Sequence, residues 1–156
     1  MMSTPTERRV MKANRPLTTE ENIWTEDNKW LVPAYIALRN SPLHRFSDLQ
    51  ASGFRHVPCA IVYLFSNDTE FVYLGECDRK DWGRLKAHYS RLDGKGFGHY
   101  YQNILKARGL PATKSDTLAA IRKLNIRWIE MPDVKRRRRL EMFAIALDLP
   151  LCSPLR

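Results

Sequence analysis

Arg84 and His88 stand four residues apart and share one face of any helix that contains them. A guanidinium fork and an imidazole projecting together suit one phosphate group; the same pair also occurs as an ordinary solvated surface. Lys86 adds charge to that neighbourhood without specificity. Further on, Lys135-Arg136-Arg137-Arg138-Arg139 is followed closely by Glu141. Five successive cations encircle a helix, so part of the run faces solvent. Where such a run meets a nucleic-acid backbone, each cation neutralises a phosphate and releases counterions. Glu141 falls about one turn after Arg137 and Arg138, which fits an intrahelical ion pair. It equally fits a hard oxygen ligand for Mg²⁺ (or Mn²⁺), which often takes only one or two protein carboxylates. Tyr63 and Tyr73 lie ten apart in two apolar runs, and Gly75 closes the second. Strand tyrosines are common because the ring suits a half-buried pleat, whereas a glycine at a strand end lets a backbone or ligand approach closely.

Few other chemistries are written in the chain. It has no Gly-rich phosphate loop ending in Lys-Ser or Lys-Thr, no HExxH, no G-x-S-x-G and no CxxC. The 156 residues carry 26 Lys and Arg against 17 Asp and Glu, a net charge of +9. That excess favours a polyanionic partner, although an anionic membrane surface or simple solubility gives the same sum. Residues 59–156 hold 18 of the cations and 11 of the acids, so most of the surplus lies there. No apolar run reaches the roughly 18 residues that span a bilayer, and the amino terminus lacks the apolar stretch of a secretory signal. No membrane association and a cytoplasmic location are therefore expected. Cys59, Cys77 and Cys152 are too few and too widely spaced for a disulfide framework or a structural zinc site, and read as buried thiols.

These residues need elements to hold them. Residues 1–20 are polar with no apolar period and read as a tail; residues 21–58 read as a helical extension laid over a later core. Residues 59–65 and 71–75 are β-prone runs around the turn residues Ser66 to Glu70, a hairpin. Trp82, Leu85, Tyr89 and Leu92 mark a helix with Asp78 as N-cap. A second helix follows from about His99 to Arg108, ended by Gly109 and Pro111. Ser115 and Asp116 can cap a third through Leu124, and residues 126–131 read as a third strand. A last helix opens at Pro132 and Asp133, buries Leu140, Phe143, Ala144 and Leu147, and stops before Pro150. The expectation is an α+β fold, a small three-stranded antiparallel sheet flanked by helices, over residues 59–156.

Taken in order, the motifs resemble the GIY-YIG nuclease family. Its first signature reads Ile61-Val62-Tyr63 here and its second Tyr73-Leu74-Gly75. Its helical Arg with a His four later matches Arg84 and His88, and its late-helix Glu matches Glu141. A Pro-x-x-Asn then reads Pro150-Leu151-Cys152-Ser153. Ile61 departs from the family's first glycine, and Ser153 from its Asn. The resemblance implies a GIY-YIG-like fold and an endonuclease that hydrolyses phosphodiester bonds with one Mg²⁺ or Mn²⁺. It further implies Glu141 as metal ligand, Arg84 as phosphate clamp, Tyr63 as general base, and Tyr73 and His88 beside them. DNA is the implied substrate, with RNA not excluded, and Gly75, Lys86 and Lys135 to Arg139 would contact it. Two other readings stand beside this one. The chain could be a basic domain that binds nucleic acid without cutting, or an interaction protein whose arginines meet an acidic partner.

Overall fold

The computed structural model describes residues 28–78, 82–90, 92 and 96–152; the expected tail over residues 1–20, and Ser153, lie outside them. The order is α1 (Leu31–Asn40), β1 (His44–Arg45), α2 (Phe46–Ala51), β2 (Ile61–Ser66), β3 (Phe71–Cys77), α3 (Gly83–Ser90), α4 (Phe97–Ala107), α5 (Lys114–Arg122), β4 (Asn125–Glu130) and α6 (Val134–Asp148). The architecture is α+β around one antiparallel sheet ordered β1-β4-β2-β3. Four strands stand where three are expected. The extra one is a two-residue edge strand in which His44 and Arg45 pair with Ile126 and Asn125. Two residues are too short for a period to show in the sequence.

Strand β2 is central, and all six of its residues are buried. Its side chains alternate between two cores, as a pleat requires. Ile61, Tyr63 and Phe65 join Leu85, Phe97, Leu105, Ile121 and Phe46 on one side. Val62 and Leu64 join Leu38, Leu140 and Ala144 on the other. Helices therefore cover both faces, which is why β2 reads as a continuous apolar run rather than an alternating one. Beyond α6 the chain turns back, and Leu151 and Cys152 donate their backbone N–H groups to the carbonyls of Phe71 and Val72. That return covers the start of the edge strand β3 and leaves its Tyr73–Cys77 end for a cleft.

Several local expectations need correction. Helix α3 begins at Gly83, not at Asp78; Asp78 instead accepts a hydrogen bond from Arg137. Helix α5 is capped by Thr113, whose hydroxyl accepts from the Asp116 N–H while Asp116 accepts from the Thr113 N–H. In α6, Asp133 caps the amino end as expected. Leu140 and Ala144 are buried, but Leu147 is 55% exposed. The inward position one turn before Leu140 and Ala144 is taken by Arg137, at 1% exposure. Gly109 ends α4 with φ 69°, a conformation that glycine adopts without steric cost.

Candidate active site

The hairpin register sets the first part of the site. Tyr63 on β2 lies opposite Gly75 on β3 and Trp128 on β4. A Cβ at Gly75 would stand 2.6 Å from the Tyr63 hydroxyl oxygen and 2.9 Å from the Tyr73 ring. The space beside Gly75 is therefore filled by the protein's own two phenols.

Tyr63 Oη lies 2.7 Å from His88 Nε2 in a buried hydrogen bond. Around this pair are the rings of Phe65, Tyr73 and Phe97, with Tyr73 stacked on Phe97 at 4.6 Å. His88 therefore does not project to solvent beside Arg84; it turns inward from α3 at 8% exposure. Burial, reinforced by the Arg84 charge, lowers its pKa to about 3, so the imidazole is neutral across the physiological range. The Tyr63 phenol is pushed well above its ordinary value, chiefly by burial, and the Arg84 charge opposes that rise without cancelling it.

Arg84 occupies the mouth. Its Nη2 donates to Tyr73 Oη at 3.2 Å, and its Nη1 lies 4.0 Å from Glu76 Oε1. Two concavities meet at Arg84 and Ala87. One, of about 380 Å³, is walled by Glu76, Asp78 and Arg138. The other, of about 250 Å³, reaches Tyr73, His88, Phe97 and His99.

Glu141 approaches from α6 and is partly buried. Its charge acts on both Tyr63 and Arg84, so these three groups lie within electrostatic reach of one another. Burial pushes its carboxyl above the ordinary range against the pull of Arg84, and Glu76 adds to the rise. The intrahelical ion pair with Arg137 is not formed. Arg137 goes to Glu76 and Asp78, and no described residue lies within ion-pair distance of Glu141. Among the described residues no three His, Cys, Asp or Glu side chains cluster as metal ligands. Among the described residues Glu141 is a carboxylate near Arg84 with no ion pair, and one such group is within the range Mg²⁺ uses.

The basic run divides. Lys135, Arg136, Arg138 and Arg139 are exposed, with Arg138 on the cleft wall, Arg136 over the Trp30 ring and Arg139 bonded to Asn28. Arg137 is buried and cannot meet nucleic acid, which corrects its expected role. Lys86 is exposed, its ammonium 5.9 Å from the centre of the Trp82 ring. Sequence reasoning missed Glu76 and Asp78. The available signal was that β3 runs straight from Gly75 into two acids beside a helical Arg.

No family model, curated protein or solved structure matches the chain. No described helix is long and apolar enough to cross a membrane.

Proposed function

We propose that the chain is a metal-dependent endonuclease of GIY-YIG type that hydrolyses phosphodiester bonds in DNA. The observation that carries this reading is convergence. Tyr63, Tyr73, Arg84, His88 and Glu141 come from two strands and two helices, spread over 79 positions of the sequence, yet they are linked: Tyr63 bonds His88, Arg84 bonds Tyr73 at the mouth of the cleft, and the Glu141 charge acts on both Tyr63 and Arg84. Arg138 of α6 stands on the cleft wall, and the net charge of +9 supplies the long-range attraction for a polyanion.

Each side chain then has a task its surroundings suit. Arg84 grips a non-bridging oxygen of the scissile phosphate through the N–H groups not given to Tyr73, and holds the charge that grows there. Tyr73 is oriented by that same guanidinium and places the attacking water. Tyr63 Oη accepts the water's proton while its own proton passes to Nε2 of the neutral His88, so neither a free phenolate nor a free hydroxide is needed. Tyr63 has no exposed surface, so the cleft must open toward its hydroxyl when nucleic acid binds. Glu141 would hold Mg²⁺, which when bound supplies positive charge to the phosphate and leaving oxygens. Ile61, in place of the family's glycine, is fully buried in the core and does not line the cleft.

Incubation of supercoiled plasmid with the chain and Mg²⁺ tests the reading, with a chelator control and a matched single-stranded RNA. Mg²⁺-dependent conversion to nicked circles is expected. Tight binding with no cleavage under Mg²⁺ or Mn²⁺ would instead mark a nucleic-acid-binding domain without activity.

A further inference from the structure

Arg137 is a buried cation on a helix whose neighbouring cations all face outward. Its Nε donates to Glu76 Oε2 at 2.5 Å, and its Nη2 to Asp78 Oδ2 at 3.0 Å. Its Nη1 donates to the carbonyls of Met131 and Pro132 at 3.0 and 3.3 Å. Every nitrogen of the fork is engaged, as a charge at 1% exposure requires. The partners lie on two separate pieces of chain, the end of β3 and the β4–α6 turn, while Arg137 itself belongs to α6.

We propose that Arg137 is a positioning residue of the cleft. By gripping Glu76 and Asp78 together it fixes Glu76 beside Arg84 and sets the separation between β3 and the helix that carries Glu141. The inference rests on the nuclease reading, since it assigns a task within that site.

The geometry forms a chain of contacts. Glu76 stands between two guanidiniums, bonded to Arg137 through one oxygen and 4.0 Å from Arg84 through the other. Arg84 in turn reaches Tyr73. Glu141 follows Arg137 by one turn on the same helix face. Fold stability alone does not call for this arrangement. A buried ion pair is often matched or exceeded in stability by apolar side chains of similar volume, and apolar side chains could not aim Glu76. A lysine would not serve either, because an ammonium is a point donor and cannot hold two carboxylates in the plane of a fork.

The test compares Arg137→Lys and Glu76→Gln with the parent. Arg137→Lys is expected to fold and to bind DNA with KM changed less than about twofold. Its kcat is expected to fall by roughly tenfold to a hundredfold, the cost of a misplacement on the order of 1 Å. Glu76→Gln keeps a hydrogen bond to Arg137 but loses the charge facing Arg84, and its kcat is expected to fall similarly. The double variant should lose no more than the worse single one, because both act through one link. A second readout does not depend on cleavage. In ¹⁵N-arginine NMR spectra the Arg84 Nε–H signal, assigned by its absence in Arg84→Lys, should move in both variants.

An unmoved Arg84 signal with unchanged kcat overturns the proposal, as does a loss of activity that only follows the folded fraction. If Arg137→Lys does not fold, Glu76→Gln decides by the same two measurements. If the parent itself does not cut, the nuclease reading fails, while the NMR shift still decides whether Arg137 places Arg84.

Discussion

Tyr63 and His88, 25 residues apart in sequence, share a 2.7 Å hydrogen bond inside a shell of aromatic rings. The phenol is held protonated and the imidazole neutral, the protonation states that the proposed proton transfer requires. Tyr63→Phe removes the hydroxyl and leaves His88 Nε2 without its partner. Stability should fall by about 1–3 kcal/mol for the orphaned buried atom, and cleavage should be lost in a chain that still folds. Denaturant melts set beside nicking assays check both.

The same pair fixes a pH dependence of stability. His88 titrates at about 3 when folded against 6.5 when free, so the unfolded chain binds its proton first. This contribution is fully present above pH 6.5 and is lost as pH falls from there to about 3. His88→Gln should flatten the stability–pH curve across that window relative to the parent. Urea unfolding at a series of pH values measures the difference, and parallel curves would contradict the burial of a neutral imidazole.

Gly75→Ala should be disproportionately harmful for one methyl group. The added carbon meets the hydroxyl end of Tyr63 and the Tyr73 ring, both under 3.0 Å, and β2 and β3 are too tightly registered to separate. Overpacking of this kind costs about 1–3 kcal/mol. Nicking should fall beyond the loss of folded protein, because the methyl displaces the Tyr63 oxygen itself. An alanine variant with parental melting temperature and rate would show that the hairpin tolerates the carbon.

For the basic run, only the four exposed cations should matter to DNA. Replacing Lys135, Arg136, Arg138 and Arg139 with glutamine should lower the log–log salt slope of binding by about 3–4 units. Replacing Arg137 with methionine should instead act on folding, since breaking one side of a buried pair typically costs about 3–5 kcal/mol. Fluorescence anisotropy at several salt concentrations reads the first effect and thermal melts the second.

Much of this arrangement is visible in the residue types. The apolar runs around Tyr63 and Tyr73, the Asp133 cap and the Pro150 stop lead to β2, β3 and α6 nearly at their observed bounds, because local pattern and tertiary packing agree there. Where they disagree, the pattern misleads. Arg137 reads as one of five equivalent surface cations, and nothing local reveals that Glu76 and Asp78 come across from β3 to neutralise it. His88 reads as polar and exposed, yet the shell of Phe65, Tyr73 and Phe97 buries it as a hydrogen-bonded partner of Tyr63. Strand β1 escapes notice because only its pairing with Ile126 and Asn125 makes it a strand.

The proposed convergence of Arg84 and Glu141 on one phosphate is tested most directly by single-turnover nicking with saturating protein and Mg²⁺, comparing the parent with Arg84→Ala and Glu141→Ala. Arg84→Ala should slow the chemical step on the order of 10²–10³-fold, as loss of a preorganised oxyanion donor does, and Glu141→Ala should remove the Mg²⁺ dependence along with the activity. A parent that cuts while Glu141→Ala cuts equally fast would contradict the assignment of that carboxylate and of the cleft built around it.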